Sequence, residues 1–233
     1  MLRNNITLNE QEVSLVAHKV LQSFIRDRSL FANYSNQYDN SFLKDFRAKV
    51  IAMEHLDPID QLDAEVELKR QKITDYLSHY RPVVNITEAL LIRSKDENGL
   101  NAEISEFYLS QLRDCVRKRK VWETLRFTRL IIQKITNHLD ELSEKEIFLR
   151  IIDDFTVFSI NLRRAELEYA EAVHKRDMTS IEHALAREQM QDLLDSIFES
   201  SAKIFSTTDV NKLDEYSVEK IMAEEQFRRM LPH

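Results

Sequence analysis

From Ser143 to Lys175 the sequence reads SEKEIFLRIIDDFTVFSINLRRAELEYAEAVHK. Its apolar residues Phe148, Ile151, Phe155, Phe158, Leu162, Ala165, Tyr169 and Ala172 recur at alternating spacings of three and four. A backbone with about 3.6 residues per turn brings such positions onto one face, whereas a strand would alternate every second residue. Ser143 followed by Glu146 is a capping-box pattern, in which the two residues satisfy free N–H groups of the first turn. The stretch therefore reads as a long amphipathic helix ending near Lys175.

Glycine usage extends that reading to the whole chain. Average usage would place roughly 16 glycines in a chain of this length, yet the 233 residues contain one, Gly99, and three prolines. Phosphate-cradling loops, dinucleotide fingerprints, nucleophile elbows and most tight hairpins need glycine where the backbone takes positive φ or approaches a ligand closely. None can be built here. The expectation is an all-α protein of eight or nine helices in antiparallel bundles.

Upstream, Asn9 is a candidate cap for a first helix carrying Val13, Val16, Val20 and Phe24 to about Leu30. A second segment carries Tyr34, Tyr38, Phe42, Phe46, Val50 and Met53. Asp57-Pro58 suits the start of a third helix, since aspartate caps free amides and proline in the first turn forfeits no hydrogen bond. Arg81-Pro82 is expected to bend or restart that helix, and Gly99 to end its continuation. Beyond Gly99 the apolar face rotates between Ile104–Val116 and Val121–Leu139, which predicts a break at residues 117–120. After Lys175, Asp177 or Thr179 can cap a helix reaching Phe205, and Thr207-Thr208-Asp209 precedes a last helix ending near Arg229. The Gly99 turn is the expected boundary between two bundle-like halves, 1–99 and 100–233, sharing enough core to behave as one body. An offset of 138 aligns Phe24 with Leu162, Phe31 with Tyr169 and Leu43 with Ile181, a match that any two amphipathic helices can produce.

Thirty-three Lys and Arg against 40 Asp and Glu give a net charge of −7, which disfavours general attraction to nucleic acid or anionic membranes. The first residues lead into a polar stretch without an apolar signal core, so the expected setting is cytoplasmic. A single cysteine, Cys115, cannot form an intrachain disulfide, and Asn-x-Ser/Thr triplets at Asn5, Asn33 and Asn85 read as chance.

Local charge is less even. Residues 113–134 hold eight basic residues against two acids, Asp114 and Glu123, a local +6 that leaves −13 on the rest. Helical from Arg119 onward, this segment places Arg119, Trp122, Arg126, Arg129 and Gln133 on one face, opposite Leu125, Ile132 and Ile135. Guanidinium groups pair bidentately with carboxylates or phosphates, and indole offers a broad flat contact. This face is the candidate partner-binding surface. The plainer reading pairs the arginines with acids of the same chain, around Asp153 and Asp154 or Glu166 and Glu168, and packs Trp122 between helices.

Metal is the other candidate. Glu171 and His174 lie three apart on one helix face, as chelation requires, but the second Glu-x-x-His pair of a di-metal bundle is missing. His174, near an expected helix end, has terminal carbonyls as its simpler partner. No nucleophile–base motif is present, Cys115 sits in an apolar stripe, and the aromatic stripes read as core. The expected function is thus a non-enzymatic protein-interaction or scaffold module, binding another protein or a second copy of itself, without a cofactor and without a membrane. The alternatives are a nucleic-acid-associated regulator using residues 113–134, and a metal- or small-ligand-binding bundle.

Overall fold

A computed structural model describes residues 9–230, and of Glu10 and Arg229 the backbone only. The Asn5 triplet and Pro232 lie outside the described residues. Within them the chain is all-helical, with seven α-helices: α1 (Glu10–Tyr34), α2 (Asn40–Glu54), α3 (Ile59–Asn98), α4 (Leu109–Arg117), α5 (Val121–Asn137), α6 (Lys145–Thr208) and α7 (Val218–Met230). Short 3-10 turns at Ile104–Phe107, Leu139–Glu141 and Val210–Tyr216 link them. Among the described residues no helix is long and apolar enough to cross a membrane.

Several starts and stops follow their sequence signals. Asn9 caps α1 in a reciprocal box with Glu12. The second helix starts later than its apolar stripe implied: Tyr34 ends α1, Tyr38 precedes α2, and Asp39, which the sequence reading did not single out, caps α2 through the Phe42 N–H. Gly99 takes φ +67°, the left-handed conformation that closes α3.

The count of eight or nine helices is corrected to seven at two places. Pro82 lies inside α3 without ending it. It has no N–H for the Ser78 carbonyl, but Tyr80, Val83 and Val84 on either side are buried in one core, and that packing holds the helix together. The two helices expected on either side of Asp177 are one, α6, 64 residues long. Thr179, expected as a cap, is a buried residue within it. The start of α6 also differs. Ser143 makes no capping box; its hydroxyl shares a hydrogen bond with the Ser94 hydroxyl at 2.9 Å, and the helix begins from the Glu144 carbonyl.

The described residues divide into two compact units, one of residues 9–58 with 178–230 and one of 59–177. The Gly99 turn, the expected boundary, falls within the second. In the first unit α1, α2, the C-terminal part of α6 and α7 enclose an aromatic core of Phe24, Phe31, Tyr38, Phe46, Phe205 and Tyr216. Phe24 and Phe31 have ring centroids 4.9 Å apart, and Phe205 stacks on Tyr216 at 5.4 Å. Each such pair adds about 0.5–1.5 kcal/mol beyond its burial. The Tyr38 hydroxyl donates to the Ser196 carbonyl at 2.9 Å, so the ring is buried without an unmet polar group.

In the second unit α3, α4, α5 and the N-terminal part of α6 surround Leu91, Phe107, Leu112, Ile131, Phe148, Phe155 and Leu162. Val121, Thr124, Thr128, Ile131 and Ile135 turn one face of α5 into this core. The opposite face of α5 is thereby left to solvent.

Candidate interaction face on α5

The face is built from the α4–α5 junction. Arg119 takes φ +54°, the left-handed region usually reserved for glycine. Its N–H donates to the Val116 carbonyl and that of Lys120 to the Cys115 carbonyl at 2.9 Å, the paired bonds of a Schellman motif. An arginine at this position costs about 1 kcal/mol relative to glycine. The junction thus carries an arginine where glycine would be easier to accommodate. Three residues after Arg119, Trp122 is the second residue of α5, with 57% of its surface exposed. Arg126, Arg129 and Gln133 follow at spacings of four, three and four, all exposed. The Arg126 guanidinium lies 5.7 Å from the Phe127 ring centroid.

Ion pairing separates these residues from the rest of the basic segment. Arg113 forms a two-pronged pair with Glu88 and also donates to the Asn85 side chain at 3.0 Å. Arg117 and Lys118 share Asp114, Lys120 reaches Glu123, and Lys134 donates to Glu106 at 2.9 Å. Arg113 holds the Glu88 carboxyl below its ordinary range, chiefly through the hydrogen bond between them. Arg119, Arg126 and Arg129 have no carboxylate at ion-pair distance among the described residues. The three unpaired cations are those that flank the chain's single tryptophan.

Both parts of the plainer sequence reading are therefore corrected. Trp122 does not pack between helices, because α5 already fills its core face with Val121, Thr124 and Thr128. The acids named as internal partners do not answer these arginines. Glu168 is taken by Lys69 and Lys72, at 3.3 and 2.9 Å. Glu166 is half-buried, and burial raises its pKa. Asp153 and Asp154 are exposed without an ion pair among the described residues.

Glu171 and His174 are both exposed on α6. Because α6 runs on to Thr208, His174 is mid-helix and the terminal carbonyls expected beside it are absent. No group of three or more His, Cys, Asp or Glu side chains capable of holding a metal ion occurs among the described residues. Cys115 is buried, and burial raises its thiol pKa, the opposite of what a nucleophile needs. The remaining described histidines are dispersed: His18 pairs with Glu54, His55 and His183 contact the carbonyls of Ile51 and Asp57, His79 lies against the Tyr76 and Phe158 rings, and His138 contacts Glu141.

One charged cluster was missed in the sequence. Asp27, 3% exposed, accepts from Arg26, Lys212 and the Tyr216 hydroxyl. Burial alone would raise its pKa, but Arg26 and Lys212 outweigh that and hold it below the ordinary value. The available signal was an acid three residues after Phe24 and four before Phe31, on the apolar seam of α1. Its complete set of partners marks it as structural. No protein-family model, curated protein or solved structure matches this chain.

Proposed function

We propose that this chain is a non-enzymatic interaction module of the cytoplasm, each unit acting as a helical bundle, and that the α4–α5 junction and α5 together present Arg119, Trp122, Arg126 and Arg129 to an acidic surface of a protein partner. The observation that carries the reading is the division of the basic segment. Arg113, Arg117, Lys118, Lys120 and Lys134 are paired within the fold, whereas the three arginines around the exposed Trp122 have no ion pair among the described residues. Exposed tryptophan with unpaired arginine is the composition at which interface energy concentrates, because indole buries a large area and guanidinium forms directed pairs with carboxylates. The left-handed Arg119 supports the reading, since glycine would close α4 at less cost.

The test is a photo-crosslinking residue in place of Trp122, with captured species identified by mass spectrometry, in the parent and in an Arg126→Glu/Arg129→Glu background. Specific capture of a protein, lost on charge reversal while folding stability stays within about 1 kcal/mol, supports the proposal. Capture of nucleic acid, falling steeply with salt, would favour the nucleic-acid reading. A stoichiometric metal in the native mass spectrum, lost in Glu171→Ala/His174→Ala, would favour the metal reading.

A further inference from the structure

A second surface lies on α6, independent of the α5 face. Val157 and Ile160 are 51% and 62% exposed, and Leu167 is half exposed. With Arg150, Asp153 and Arg164 they form a line spaced three, four, three, four and three, the seam of a heptad-type helix pair. Single exposed apolar residues are ordinary, but a periodic line of them on one helix is the pattern of a helix awaiting a neighbour.

The charges on that line identify the neighbour. Asp153 lies four residues before Val157, and Arg164 four after Ile160. Neither has an ion-pair partner among the described residues. The four central positions are therefore acidic, apolar, apolar, basic, and reversing them gives their own complement. We propose that this face docks a second copy of the chain, the two α6 helices antiparallel about the point between Phe158 and Ser159. That two-fold arrangement sets Val157 of each copy against Ile160 of the other, and Asp153 against Arg164, in two equivalent pairs. The Arg150 stem then covers Leu167 of the other copy. A parallel pair would place Asp153 on Asp153 and Arg164 on Arg164, so the charges select orientation as well as partner.

The experiment is the solution mass of the full chain by light scattering or sedimentation, with circular dichroism as the check on folding. The wild type is expected at twice 27.6 kDa. Asp153→Arg and Arg164→Asp each place like charges opposite one another and are expected to weaken self-association by roughly a hundredfold or more. Mixing the two variants, or combining both changes in one chain, restores complementary pairs and is expected to restore the dimer. Ile160→Glu removes the apolar centre at an exposed position and is expected to give a folded monomer. Arg126→Glu/Arg129→Glu leaves the dimer intact, so failure of this proposal and failure of the α5 reading are distinguishable. A wild-type chain that stays monomeric at the highest concentration it tolerates would overturn the proposal. So would a dimer that survives both single reversals, or one lost only when the α5 arginines are reversed.

Discussion

At Asp27 a carboxylate is held inside the first unit by Arg26, Lys212 and Tyr216, and its effect on stability has a definite sign with pH. Its folded pKa lies below the ordinary value near 3.8, so the folded state resists protonation more than the unfolded chain does. The stabilisation is complete above that value and is lost as pH falls through the lower folded pKa. Asp27→Asn should therefore flatten the acid limb of an unfolding-versus-pH curve. Asp27→Ala should cost about 2–3 kcal/mol in denaturant titration at neutral pH, since it strands the Tyr216 hydroxyl and takes the buried carboxylate from Lys212, while Arg26 keeps Glu215. Thr124 predicts the opposite direction. Its hydroxyl is fully buried with no hydrogen-bond partner among the described residues, so Thr124→Val should raise stability by up to about 1 kcal/mol in the same titration. Trp122 contributes little to the fold: Trp122→Ala should shift stability by less than about 1 kcal/mol, against about 3–5 kcal/mol for the fully buried Phe155→Ala.

The longest element shows what a helical sequence reveals and what it withholds. The near-absence of glycine and the spacing of Phe148, Ile151, Phe155 and Phe158 made the helical class and the core face of α6 legible, as Asn9 and Gly99 did two of the termini. The length of α6 was not legible, because Asp177 and Thr179 have cap-forming side chains whether or not the backbone stops there. Only burial shows that Thr179 packs rather than caps. A substitution discriminates between the two arrangements. If Thr179 capped a new helix, Ser180 would occupy its first position, where proline is tolerated. Within a continuous α6, Ser180→Pro should cost about 3 kcal/mol or more, measurable as a lower unfolding midpoint. The α5 face was legible as periodicity. Which of its cations stay unpaired was not, since that depends on Glu88 and Glu106, brought to Arg113 and Lys134 from other segments. The α6 seam went unread because Val157, Ile160 and Leu167 are interleaved with the stronger stripe of Phe155, Phe158 and Leu162.

For the molecule as a whole, the decisive fact is the unequal continuity of the two units. Residues 59–177 are one uninterrupted stretch with its own core, so that fragment should unfold cooperatively when expressed alone, by circular dichroism in denaturant. A non-cooperative, largely unstructured fragment would show that its core needs the remaining chain. The other unit draws Phe24, Phe31 and Phe46 from one end of the sequence and Met190, Ile197 and Phe205 from the other. On a ribosome these halves are separated in time. At about 5–20 residues per second, α1 and α2 wait on the order of ten seconds or more for the segment that covers their aromatic face. Throughout that interval the nascent chain displays an unsatisfied hydrophobic ledge while residues 59–177 are free to fold.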